Sequence, residues 1–308
     1  MLKKRHQVVI VFAVLTTLVS GCGSTTDKYK KFAEALTGYT TALDGLLQAS
    51  APISIEASSE QLIQQIQTPE GSTTSQQNII VQKNINNYEN SSKLDKERLQ
   101  IISDLRSHIQ LLNEYFQLLK YLASSDAPEE TKNQTQEVFT SLEGLGTKLV
   151  GEPKFPKDQF TILQGVVPSL AKVIVSSKIN SALREELEKR KVPIQNQLLL
   201  QQALLAAITD DIKADLKNIE QLREGRLVAR EYGTGKIANP EDWISKRRKI
   251  LNLQTKIVEL NETSQIAEDF RKVFEDFVKG DFNSKRLDNI TERMNNLTKV
   301  IQTVVPAE

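Results

Sequence analysis

One cysteine, Cys22, stands in the 308 residues of the chain. A thiol is the strongest nucleophile among the side chains here, and a lone one has no intramolecular disulfide partner. It closes the run Val19-Ser20-Gly21-Cys22. The other residues with chemical potential are carboxylates and cations. Asp211 and Asp215, four apart, share a helix face with Asp210 beside them, an oxygen-rich pattern that suits a cation. Lys213 and Lys217 interleave with them, so the better reading is a solvated, ion-paired face. Glu185, Glu186 and Glu188 beside Arg184 and Lys189 read the same way. Lys246-Arg247-Arg248-Lys249 is the densest basic run. It suits anionic lipid head groups, lipopolysaccharide phosphates or an acidic partner. A helix spreads four consecutive residues around its axis, so only part of the run can face one partner.

Several chemistries are excluded by residue type. Gly233-Thr234-Gly235-Lys236 resembles the end of a phosphate loop, but Arg230 stands where its first glycine belongs and Ile237 replaces the hydroxyl. It reads as an ordinary loop. Beyond residue 21 the chain keeps one histidine, His108. A Cys/His zinc cluster and a Cys–His dyad both need more. A Ser–His–Asp triad would have to use His108, which lies beside an apolar helical seam and reads as a flanking or partly buried side chain. Paired carboxylates serve glycosidases, but nothing in the sequence sets two of them across a cleft. No metal or cofactor motif emerges, and no catalytic set.

The first 21 residues form a separate unit. Lys3, Lys4 and Arg5 precede an apolar run from Val8 to Val19, broken only by Thr16 and Thr17, and small residues lead into Cys22. That is the layout of a secretory signal. The run is too short for a bilayer, which needs ~20 apolar residues. Val19-Ser20-Gly21-Cys22 resembles the lipobox of bacterial lipoproteins. The resemblance covers this N-terminal signal alone. It implies cleavage before Cys22, a thioether-linked diacylglycerol on the Cys22 sulfur, and an acylated new N-terminus. Several acyl chains at ~0.8 kcal/mol per buried methylene give a stable anchor. Gly23 follows where an Asp would mark inner-membrane retention in many Gram-negative lipoproteins, so the resemblance favours an outer-membrane address if the host has two membranes. Removing residues 1–21 takes Lys3, Lys4 and Arg5 from the 40 basic residues, leaving 37 against 39 acidic ones. Such a balance carries no electrostatic footprint for nucleic acid.

The rest of the chain must position these groups with helices. Strand alternation is nearly absent, and Leu, Gln, Glu, Lys and Ala dominate. The clearest helix is expected over 92–124, where Ile102, Leu105, Ile109, Leu112, Phe116 and Leu119 recur at spacings of three and four, a coiled-coil-like seam. Residues 27–49 read as a shorter amphipathic helix and 68–77 as a polar loop or hinge. Asp126, Pro128 and Glu129-Glu130 start a helix that Gly151 and Pro153 end. A helix over 156–191, kinked at Pro168, is expected to break at Pro193. A further helix covers 194–231. Asn239-Pro240-Glu241-Asp242 then caps one reaching Gly280, and Leu287, Ile290, Met294, Leu297, Ile301 and Val304 line a last one.

Short connectors favour antiparallel neighbours. The expected fold is therefore all-α: an elongated antiparallel bundle of five or more helices with coiled-coil-like packing. Its parts are a lipoprotein signal (1–21), an anchor-proximal helical region (22–90) and a long-helix bundle (91–308). The function expected is a non-enzymatic, lipid-anchored scaffold or adaptor of the cell envelope that binds a protein partner. Two other readings remain open to the sequence. Val166–Val175, the most apolar stretch after the signal although Lys172 interrupts it, suggests a membrane-active helical protein that would release residues 150–177 into a bilayer. An envelope hydrolase would have to work with carboxylates alone.

Overall fold

The seam Ile102, Leu105, Ile109, Leu112, Phe116 and Leu119 is buried along its whole length. Around it the chain packs helix on helix. A computed structural model describes residues 25–68, 73–123, 129–151, 181–280 and 283–304. Cys22 with its lipobox, Asp126, Pro128, Pro168 and the whole apolar stretch Val166–Val175 lie outside them. Within them the regular structure is helical throughout: α1 (Thr25–Gln65), α2 (Thr74–Leu122), α3 (Glu129–Gly151), α4 (Ser181–Arg223), α5 (Pro240–Glu259), α6 (Thr263–Lys279) and α7 (Ser284–Val304). A π-helical turn, Glu224–Ala229, and one more helical turn, Arg230–Gly233, extend α4; a 3-10 turn, Leu260–Glu262, joins α5 to α6.

Cross-helix pairs give the directions. Asp44 meets Arg106, and Gln67 meets Asn84, so α1 and α2 are antiparallel. Lys148 reaches Asp104 and Phe139 packs on Tyr115, which sets α3 against α2. Arg98 meets Asp211, and His108 meets Gln197, so α4 also runs against α2. Arg271 reaches Gln202, Gln254 reaches Glu220 and Arg293 reaches Asp269, which turns α6 and α5 against α4, and α7 against α6. The fold is the expected elongated all-α bundle; at ~1.5 Å per residue α1 is about 60 Å long and α2 about 70 Å. No described helix is long and apolar enough to cross a membrane.

Several boundaries differ from the expectation. Pro193 does not break the chain; α4 runs through it, as α1 runs through Pro52. An internal proline costs ~3 kcal/mol. Leu187, Ile194 and Leu198 beside Pro193 are all buried, and burial of each is worth ~1.5–3 kcal/mol. Their packing outweighs the lost hydrogen bond. α1 continues past residue 49 for the same reason, with Ile53 and Ala57 buried beyond Pro52. α2 starts well before residue 92, where Gln76 accepts a hydrogen bond from the Thr73 backbone at 3.1 Å.

The helix expected from 240 to 280 is interrupted at Leu260–Glu262. Asn239 caps its start as expected, accepting from the Asp242 backbone at 3.1 Å. The interruption lets α5 lie on the far end of α4 while α6 packs along the earlier part of α4 and reaches Phe32 and Tyr39 of α1 with its phenylalanines. Gly280, with φ +81°, ends α6 in the left-handed conformation only glycine adopts freely.

Candidate functional site

The outer end of the α1–α2 hairpin leaves the bundle. The last buried residue of α1 is Glu60 and the first of α2 is Ile102. The arm between them has inverted patterning. On α2 the half-buried stripe facing α1 is Ile80, Asn84, Asn87, Ser91, Asp95 and Arg98, polar at every position but one. Val81, Ile85 and Tyr88, four and three apart, share a neighbouring face and are 47, 43 and 63 % exposed. Ile63, Ile66 and Ile79 are exposed as well. Two hydrogen bonds between Gln67 and Asn84 tie the tip together, at 2.9 and 3.3 Å.

The arm is clamped at its base by ion pairs. Glu60, on α1, accepts from Arg223 Nε at 2.8 Å and from Arg226 Nη2 at 2.7 Å; Glu56 also pairs with Arg223. Burial pushes the Glu60 carboxyl up, but hydrogen bonds and charge from the two arginines outweigh it and hold it below the usual carboxylate range. Arg226 belongs to the π-helical turn, so that turn presents a cation to the arm that a regular helix would place elsewhere. Across the base, Arg98 bonds Ser54 at 2.5 Å, Asp215 at 3.1 Å and Asp211 at 3.3 Å. The acidic face of α4 therefore serves α2. Lys213 pairs with Asp210, at 3.4 Å. Among the described residues no group of His, Cys, Asp and Glu is placed to hold a metal ion.

The basic run lies on α5. Lys246 is turned back to Asp242 at 2.5 Å. Arg247, Arg248 and Lys249 are exposed, and Ile250 is the buried member of the turn. Beside them the Trp243 indole donates to the Val228 carbonyl of the π-helical turn at 3.1 Å and stacks on Tyr232. The Gly233–Lys236 segment is the end of the preceding helix: Gly235 takes φ +67°, and Thr234 Oγ1 donates to the Glu231 carbonyl at 2.7 Å. It forms no phosphate cradle.

His108 is fully buried, more deeply than its sequence position suggests. Nε2 is 2.8 Å from Gln197 Oε1 and Nδ1 is 3.4 Å from Gln201 Nε2. An amide oxygen on one nitrogen and an amide N–H on the other suit the neutral ring. Desolvation depresses its pKa, only partly offset by the Gln197 bond. A Cβ at Gly146 would sit 2.5 Å from Gln197 Oε1, so a mid-helix glycine makes room for this pair. Nothing in the sequence linked Gly146 with His108, because the close approach is across helices.

The sequence thus located the basic run and the acidic face but missed the arm and the Arg98 junction. Apolar residues at spacings of three and four look alike whether a partner helix of the same chain covers them or not. No protein-family model, curated protein or solved structure matches the chain.

Proposed function

We propose that the protein is a lipid-anchored scaffold or adaptor of the cell envelope, which binds a protein partner through the α1–α2 arm and carries no catalytic step of its own. One observation carries this reading: Val81, Ile85 and Tyr88 form an exposed apolar stripe on a helix whose inward face is polar. Amphipathic recognition of this kind lays such a stripe into a complementary groove. Each of these side chains gains ~1.5–3 kcal/mol when covered. The arm tip stands about 60 Å along α1 from Thr25, which gives a chain tethered at Cys22 its longest reach. The basic run lies at the same end, beside Trp243 and Tyr232, and adds a charged rim for an acidic partner. The Cys22 lipid and the envelope address are part of the proposal and rest on the lipobox resemblance.

The test is photo-crosslinking in the host cell with a benzophenone amino acid placed at Val81 or Ile85, and at Lys132 on exposed α3 as a control. One dominant envelope protein captured from the arm and not from α3 is the expected result. Lipid adducts alone, or the same diffuse capture from both helices, overturns the adaptor reading. Cys22→Ser separately tests the anchor: the protein should lose its acyl mass and leave the membrane fraction, and unchanged fractionation overturns that part.

A further inference from the structure

Where the arm joins the bundle, three helices enclose a pocket of about 330 Å³. That volume lies at the lower end of the range for small-molecule sites. α1 contributes Ser50 and Ser54; α2 contributes Asp95 and Arg98; α4 contributes Asp211 and Asp215. The remaining walls are Leu94, Ile101, Ile102, Ile208 and Ile212.

Its polar groups do not balance. Three carboxylates face one guanidinium, and Arg98 already spends its donors on Ser54, Asp211 and Asp215. Among the described residues Asp95 is met by the Ser58 hydroxyl alone, at 2.9 Å. The Asp215 carboxyl is pushed up, first by burial and further by Asp211 and Asp95, against the pull of Arg98. The concave wall therefore holds uncompensated negative charge beside isoleucine side chains, and low-dielectric walls strengthen that field. A divalent metal does not answer it, because the carboxylates do not converge as ligands and Arg98 stands between two of them. An organic cation does: its ammonium meets the carboxylates and its hydrocarbon lies on the isoleucines.

We infer that this pocket binds a primary ammonium carried on a hydrocarbon stem, with Asp95, Asp211 and Asp215 receiving the charge and Ile101, Ile208 and Ile212 receiving the stem. A free alkylamine and the lysine side chain of a peptide share this chemistry. The site is independent of the stripe on the arm, so either can stand without the other.

The experiment is calorimetric titration of the intact chain with n-hexylammonium, n-hexanol, hexanoate and N-acetyl-lysine methylamide. Hexylammonium should bind at least tenfold more tightly than hexanol, and hexanoate should not bind. Asp211→Asn with Asp215→Asn should weaken hexylammonium tenfold or more and leave hexanol unchanged. Tighter binding of the lysine derivative supports the same site and names a peptide as the source; tighter binding of hexylammonium names a free amine. Equal affinity for hexylammonium and hexanol overturns the inference, as does no binding by any probe. Should the double variant misfold, as its circular dichroism would show, Asp95→Asn provides the second test. It removes one receiving carboxylate and should weaken hexylammonium while leaving hexanol unchanged; unchanged hexylammonium affinity overturns the inference.

Discussion

The two ends of the bundle are held together by different forces. Near the start of α1 the core is aromatic. Phe32 stacks on Phe277 with centroids 4.0 Å apart, Tyr39 stacks on Phe270 at 4.3 Å, and Phe274 is fully buried between the helices. Tyr115, Phe116 and Phe139 fill the adjoining space beneath α3. Even the charges are buried there, with Arg190 over the Phe139 ring and paired to Glu186, which also accepts from Tyr115 at 2.9 Å. Among the described residues of the far end no aromatic side chain is buried; Tyr88 and Tyr232 are exposed. There α1, α2 and α4 are held by buried aliphatic side chains such as Ile53, Ile102, Ile212 and Ile219, with half-exposed ion pairs beyond them. Apolar packing is strong, non-directional and insensitive to salt, whereas partly exposed pairs contribute little and are screened. The molecule thus has an aromatic end and an aliphatic end that leans more on ion pairs, and the exposed apolar stripe extends from the second.

The largest effect belongs to the aromatic end. Phe274→Ala should cost ~3–5 kcal/mol of stability, measured by urea unfolding, because it leaves a cavity the stacked rings cannot fill. A loss below about 1.5 kcal/mol would erase the proposed contrast. Glu60→Gln, at the far end, should cost about 1–2 kcal/mol, since it weakens charge-assisted bonds to two half-exposed arginines. Its cost must depend on pH. The folded carboxyl titrates below its unfolded value of ~4.3, so its contribution is complete above that value and disappears as pH falls through the folded one. The stability gap between wild type and Glu60→Gln should narrow as pH falls below ~4.3; a gap that does not narrow as the pH falls would mean that packing, not charge, holds the arm.

What was legible follows the same division. The buried seam of α2 was readable, as were Leu287, Ile290, Met294 and Leu297 on α7, because local periodicity reports burial when a helix packs along its length. Asn239-Pro240 announced its cap through local chemistry. The far end was not readable. Lys213 and Lys217 were nearer in sequence to Asp211 and Asp215 than Arg98, and only the fold decides between a local and a distant cation. Pro193 read as a break because its cost is local while the packing that offsets it is tertiary.

His108 sharpens the comparison from within the interior, since its site is polar but far from solvent. Burial lowers the pKa of the folded ring. Below the ordinary value of ~6.5 the unfolded chain takes up the proton ahead of the folded one, so stability should fall as pH drops below ~6.5, by up to about 1.4 kcal/mol per pH unit. His108→Gln should flatten that slope, and an unchanged slope would place the titrating group elsewhere.

The smallest effect on stability is expected on the arm. Ile85→Lys and Tyr88→Lys replace side chains that the fold does not cover, so unfolding free energies should stay within about 0.5 kcal/mol of wild type. Partner capture should respond in the opposite way. A covered apolar side chain of this size is worth ~1.5–3 kcal/mol, so each change should reduce crosslinking yield tenfold or more. Stability loss together with retained capture would show that the stripe packs against the chain's own helices. Unchanged stability together with lost capture separates the two ends by function as well as by force: one end holds the fold, and the other meets the partner.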